Sequence, residues 1–176
     1  MPWVLWITGL PGSGKSTIAS AIKEKTPGAV MLRMDELRRI VTPQPTYSDT
    51  EREHVYRSLV FTAKTFYENG HAVIIDATGN RKSWRELARE LIPDFIEVYL
   101  QCSVKVCTER EDARTETHAA PGKIYEKGRE GWPVPGINVP YEKSERPDIT
   151  IDTERESPSA ATEMIMKVLK KWEIKQ

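Results

Sequence analysis

Neither sign of charge is in excess: lysine plus arginine number 26, and so do aspartate plus glutamate, across 176 residues. This removes the global basic field by which proteins hold nucleic acid or anionic lipid, so neither partner is expected. A local cationic pocket for a small anion stays open. Cysteine is scarce, with only Cys102 and Cys107. Two are too few for a disulfide framework and have no companions at zinc spacing. They read as small core-filling thiols of a reduced, cytoplasmic protein. Long apolar runs are missing as well, and none nears the roughly 20 residues that span a bilayer. The opening Met1-Pro-Trp-Val-Leu-Trp-Ile7 lacks a basic head and a small-residue cleavage site, so it reads as a buried strand and not a signal peptide. No internal repeat or low-complexity tail is present.

What is there is alternation. Short, nearly continuous apolar runs at Trp3–Ile7, Val30–Met34, Ala72–Asp76, Phe95–Gln101 and Asp148–Asp152 suit strands covered on both faces. Amphipathic stretches lie between and after them, at Lys15–Lys25, Asp35–Val41, Asp49–Asn69, Arg81–Leu91 and Val104–Arg110, with a last one from Ser157-Pro158 towards Trp172. Asn69-Gly70 stops the third, and Ser103 caps the fifth. Proline in the first turn of the last costs no hydrogen bond. The pattern predicts a single α/β domain over 1–176, in three layers around a five-stranded parallel sheet. From Thr115 to Ser144 the rhythm fails. That stretch, rich in Gly, Pro and charge, reads as a functional loop or lid spanning about 111–144. Within it Glu111–Ala120 is polar enough for a helix extension or a mobile tip, whereas Trp132–Tyr141 carries groups that pack.

The first strand runs into Gly9-Leu-Pro-Gly-Ser-Gly-Lys-Ser16, which meets the pattern G-x-x-x-x-G-K-[ST]. Glycines let the backbone of the nucleotide-binding run Gly9, Pro11, Gly12, Ser13 and Gly14 curl until successive N–H groups converge on phosphate oxygens, and the following helix points its positive end there. Lys15 is placed to reach the β- and γ-phosphates of ATP, the Ser16 hydroxyl to ligate Mg²⁺, and Thr17 to donate to the α-phosphate. The alternative, a glycine turn without ligand, leaves this strand–loop–helix context unused.

Ligands of open α/β sheets gather at the carboxyl ends of strands. Asp35 ends the second strand, in Arg33-Met-Asp-Glu-Leu-Arg38, where a carboxylate can take the proton of an attacking hydroxyl or help hold Mg²⁺. Its competing role is an N-cap for the short helix after it. Arg38, one turn on, suits an anionic acceptor. Asp76 closes the third strand, as a carrier of Mg²⁺ through water or as a turn residue. Thr78, Asn80 and Arg81 follow as a polar turn at the crevice. Arg110 and Arg114 lead into the lid, where arginine can neutralise charge on a transferred phosphoryl group. That role is given to Arg110, while Arg114 reads as a cation serving the helix dipole.

These motifs make the chain resemble the adenylyl-sulfate kinases, P-loop enzymes that use MgATP to phosphorylate the 3′-hydroxyl of adenosine 5′-phosphosulfate (APS). The resemblance rests on Trp6–Ala19, the Asp35…Arg38 pair, Tyr47-Ser-Asp-Thr-Glu-Arg52, Val106–Arg110, Lys123-Ile-Tyr125, Pro140-Tyr-Glu142 and Pro147–Thr153. It implies a P-loop kinase fold with a lid from Lys123 to Tyr141 and a homodimer. Asp35 becomes the general base, Arg38 and Arg52 hold the substrate, and Thr153 lies near the ATP adenine. The departures are specific. Arg33-Met-Asp-Glu36 stands where the family has Asp-Gly-Asp-Asn, Val55 replaces an asparagine, and Ala77-Thr-Gly-Asn-Arg81 replaces an Ile-Ser-Pro-Tyr/His-Arg turn. The lid order is Gly122-Lys-Ile-Tyr125 after extra residues, and Trp132 is the nearest match to the lid phenylalanine that stacks on substrate adenine. Three readings follow: kinase for adenylyl sulfate, kinase for another hydroxyl on a nucleotide-linked metabolite or sugar, or a non-catalytic nucleotide switch.

Overall fold

A computed structural model describes residues 1–115 and 121–174. The five strands are β1 (Val4–Gly9), β2 (Val30–Arg33), β3 (Val73–Asp76), β4 (Phe95–Gln101) and β5 (Ile149–Asp152). They form one parallel sheet in the order β2-β3-β1-β4-β5. The helices are α1 (Lys15–Lys25), α2 (Met34–Val41), α3 (Asp49–Glu68), α4 (Lys82–Leu91), α5 (Val104–Asp112), α6 (Ile124–Arg129) and α7 (Pro158–Ile174). No helix of the described residues is long and apolar enough to cross a membrane.

Both faces of the sheet are buried, which is why its strands read as unbroken apolar runs. Along β1, Leu5 and Ile7 enter one core with Ile18, Ile22, Ile165 and Leu169 of α1 and α7. Val4 and Trp6 enter the other with Val55, Leu59, Trp84 and Ala88 of α3 and α4. Register fixes the working edge. Ile7 of β1 and Arg33 of β2 both stand opposite Asp76 of β3, so β2 and β3 end together while β1 runs two residues further into the phosphate loop.

The stretch expected to be loop from Thr115 to Ser144 contains α6, a single short helix started by Lys123 in the left-handed conformation at φ 54°. Its six residues include Gly128, so no periodicity announces it. Tyr125 of this helix packs with Cys107 and Val134, and its hydroxyl donates to the Pro11 carbonyl at 2.7 Å. The expected helix extension beyond Arg110 amounts to Asp112, and residues 116–120 of the expected tip lie outside the described residues.

Candidate active site

The phosphate loop is a chain reversal pinned at both ends. Ser13 N–H donates to Leu10 O, and Lys15 Nζ turns back onto the same carbonyl at 2.8 Å. Gly12 sits at φ +79°, with Cys107 O only 2.4 Å from where a Cβ would stand, so the loop can lie on α5 only as glycine. Burial pulls the Lys15 pKa down, against the fields of Asp76 and Asp35 among others, which favour its charge. A buried cation within the fields of carboxylates, and bonded among the described residues to a carbonyl, is suited to receive an anion. Pro11, Gly12, Ser13 and Gly14 of the loop, with Lys15, Ser16 and Thr17, line a cavity of about 690 Å³, together with Asp35, Asp76, Thr78, Arg110 and Thr153; Gly9, at the end of β1, does not line it.

Asp35 does not cap α2: the helix starts after Arg33 with no side-chain cap. Its carboxyl pKa is pushed up, first by burial and then by Asp76, against the pull of Lys15, Arg38 and Arg114. Asp76 lies 3.8 Å from Arg33 Nε, and Arg33 also donates to Ser20 Oγ at 2.9 Å. Arg33 thus sets a cation beside the carboxylate that closes β3. Among the described residues no three His, Cys, Asp or Glu side chains cluster to hold a metal alone. Magnesium that keeps water and phosphate ligands needs only one or two protein oxygens, a donor set that Ser16 and Asp76 fit.

A second cavity, of about 90 Å³, adjoins the first, and Asp35, Met34 and Thr78 line both. Arg38, Arg52, Tyr47 and Trp132 are on its walls. Arg38 is buried, donates to Glu51 Oε1 at 2.9 Å and lies 4.9 Å over the Tyr47 ring. Arg52, buried too, donates to Pro133 O at 2.5 Å and so ties α3 to the lid segment. Tyr56, sandwiched by Trp84 and Trp6, accepts from Gly79 N–H and holds the turn after β3.

Not every expected residue arrives. Asn80 lines the second cavity, but its Nδ2 is bonded to Pro140 O at 3.1 Å. Arg81 pairs with Asp49 at 2.8 Å and lines neither cavity. Lys123, exposed, pairs with Glu126 at 3.2 Å and is likewise absent from both walls. Arg110 donates to Thr153 Oγ1 at 3.1 Å and to Thr153 O at 2.5 Å. Sequence reasoning passed over the Tyr47 ring, Met34, Lys127 and the buried Glu111. Tyr47 was within reach, as the aromatic residue just before the Ser48 cap. Glu111 carries no signal of its own in a polar helix.

A family model described as adenylylsulphate kinase matches residues 1–152. The adenylyl-sulfate kinase of Clostridium acetobutylicum is 34% identical, with 97% of this chain and 84% of that protein covered. That of Pseudomonas aeruginosa is 36% identical, with 96% and 85% covered. Among solved structures, the Mycobacterium tuberculosis APS kinase CysC in complex with AMPPNP and APS superposes with a TM-score of 0.83 at 28% identity, covering 96% of this chain and 98% of that one. A sugar kinase from Janibacter, at 20% identity and a TM-score of 0.71, shares the fold.

Proposed function

The chain belongs to the adenylylsulphate kinase family and is an ATP-dependent kinase; we propose that its acceptor is the 3′-hydroxyl of adenosine 5′-phosphosulfate, giving 3′-phosphoadenylyl sulfate. One observation carries the reading: Asp35 lines both cavities, so a carboxylate stands where a nucleotide triphosphate and a second ligand meet. The large cavity takes ATP, its phosphates on the Gly9–Ser16 loop. The small one takes the acceptor, with Tyr47 and Trp132 for its base and Arg38 and Arg52 for its anionic group.

Transfer is then a direct displacement. Asp35 accepts the proton as the acceptor oxygen bonds to the γ-phosphorus, and the bond from that phosphorus to the β,γ-bridging oxygen breaks, releasing ADP. The raised pKa of Asp35 makes it a stronger base than an ordinary carboxylate. Lys15 neutralises the triphosphate oxygens, and backbone N–H groups of the loop orient them. Ser16 and Asp76 would hold Mg²⁺, which supplies charge neutralisation to the phosphates when bound. Thr153 flanks the ATP base. The reading includes the homodimer of the resemblance and a reducing cytoplasm, to which the free thiols Cys102 and Cys107 are suited.

The test is a coupled ADP-release assay with and without APS, alongside a panel of sugars and other nucleotide-linked alcohols. Release that depends on APS, with formation of 3′-phosphoadenylyl sulfate, is expected. Faster turnover of another acceptor would replace the assignment, and tight ATP binding without transfer to any would reduce the chain to a switch.

A further inference from the structure

Two arginines leave α5 for the nucleotide cavity, and the structure gives them different companions. Arg110 is committed to Thr153 through both terminal nitrogens, and its charge bears on Glu154. Arg114 lies just past the Ala113 C-cap, where its backbone N–H donates to Glu111 O at 3.3 Å while its side chain lines the cavity. Its Nη2 stands 2.7 Å from Glu111 Oε1, and its charge reaches Asp35. Both arginines line the same cavity, but the one near the general base is Arg114.

Glu111 explains why that matters. It is only 4% exposed, yet neither of its carboxylate oxygens has a hydrogen bond of proper geometry among the described residues. It also lies within the fields of Lys15 and Asp35. A buried carboxylate without donors is costly, and one beside a bound triphosphate repels it. Arg114 offsets both, through charge and closeness, and among the described residues its side chain makes no hydrogen bond of proper geometry. A guanidinium held by charge alone can turn to phosphate oxygens, which accept its donors in pairs.

We propose that Arg114 is a catalytic residue of the phosphoryl transfer, leaving Glu111 to bind the γ-phosphoryl oxygens as they gain charge, while Arg110 serves the base end through Thr153. The proposal rests on the kinase reading above. No bond to Arg114 forms or breaks; it lowers the energy of the group passing from ADP to the acceptor oxygen.

Arg114→Ala is expected to lower kcat by about 10²–10³-fold, the range for loss of one donor aimed at developing charge, with a much smaller change in KM for ATP. It is expected to weaken binding of ADP with aluminium fluoride by about ten-fold or more, with ADP affinity itself little changed, since the arginine acts where charge develops. The control is Arg114→Ala/Glu111→Gln. If Arg114 merely neutralises Glu111, the double variant regains kcat to within about three-fold of the parent, and the proposal fails; if it acts on phosphate, the loss persists. Should Arg114→Ala unfold, Arg114→Lys keeps the charge without the paired donors, so a loss of about ten-fold still supports the proposal and full activity overturns it. The fluoride measurement needs no acceptor. A failure of APS as substrate would therefore sink the acceptor assignment alone, and unchanged fluoride binding would sink Arg114 alone.

Discussion

The rings of Tyr47 and Trp132 lie 5.6 Å apart and tilted by 51° in the wall of the small cavity, each with a cation on it, Arg38 at 4.9 Å and Lys127 at 5.3 Å. Tyr47 reaches this position at φ 55°, a left-handed conformation that a ring-bearing residue adopts only when its surroundings require it. Here the requirement is visible: Glu51 accepts from Tyr47 N–H at 3.2 Å and from Thr46 N–H at 2.6 Å, folding the chain back onto α3.

If the acceptor base stacks on this pair, Trp132→Ala should raise KM for APS by about 5- to 150-fold, since base–aromatic stacking contributes about 1–3 kcal/mol. KM for ATP should stay within about two-fold, because the indole is absent from the nucleotide cavity. Trp132→Phe should recover most of the loss. Equal changes in both KM values would make Trp132 a general support of the lid.

Asp35 yields a prediction in pH. A base must be ionised, and burial beside Asp76 raises the Asp35 pKa. The acid limb of kcat/KM should therefore fall off at a higher pH than an ordinary carboxylate would give. The same shift has a stability consequence of the opposite sense. Between the unfolded pKa near 3.8 and the raised folded value, the native state holds the extra proton, so stability falls as pH rises through that window. Asp35→Asn removes the ionisation and should melt higher at neutral pH, by about 2–4 °C for each kcal/mol relieved, while losing transfer and keeping AMPPNP affinity. A variant with parental turnover would remove Asp35 from the role of base.

How far this site could be read from the chain depended on whether position along a strand or partners across space decided each residue. β4 and α1 begin and end where their apolar periodicity and loop boundaries place them. β1 runs two residues past its expected end because Thr8 and Gly9 pair with Tyr99 and Leu100 of β4, a contact no local pattern encodes. The rule that strand ends face the ligand put Asp35 and Asp76 at the crevice, and both line the large cavity, although Asp35 stands two residues past β2, in the first turn of α2. Arg81 and Lys123 were not, because their reach is set by Asp49 and Glu126. The two arginines of α5 look alike as letters; Thr153 and Glu111 separate them.

Two glycines, one in the phosphate loop and one between α1 and β2, separate strain from contact. Gly12 and Gly28 both have positive φ, +79° and +89°, but a Cβ on Gly12 meets Cys107 O at 2.4 Å while nothing lies within 4 Å at Gly28. Gly28→Ala should cost only the backbone term, about 1 kcal/mol, with ATP affinity unchanged. Gly12→Ala should cost about 2 kcal/mol or more and weaken AMPPNP about ten-fold or more, since the loop must leave α5 to make room. Equal melting temperatures for the two variants would show that the contact with Cys107 does not set the loop.

The last relationship lies behind the acceptor turn. Arg85 is 1% exposed and gives all its donating nitrogens to distinct places: Nε to Glu97 Oε1 at 2.9 Å, Nη1 to Gly79 O, and Nη2 to Glu142 O at 2.6 Å. It also lies 5.7 Å over the Tyr141 ring, whose hydroxyl is 2.8 Å from Thr8 Oγ1. One guanidinium thus joins β4, the turn after β3 and the outgoing end of the lid. Among the described residues, Arg85→Met leaves the buried Glu97 carboxylate with Arg89 at 3.3 Å and Ser144 for partners. Breaking a buried pair in this way costs about 3–5 kcal/mol, or about 6–20 °C in Tm for a chain of this size. Arg85→Met/Glu97→Gln should recover part of that, because the stranded charge is gone. The kinetic signature is separate and should appear well below the melting range. KM for APS rises more than KM for ATP, since Gly79 and Glu142 hold the Thr78–Asn80 wall and the nucleotide loop has no bond to Arg85. A single variant that melts within about 2 °C of the parent, half a kcal/mol or so by the same conversion, would mean that the surrounding carbonyls find water and that Arg85 does not hold the turn.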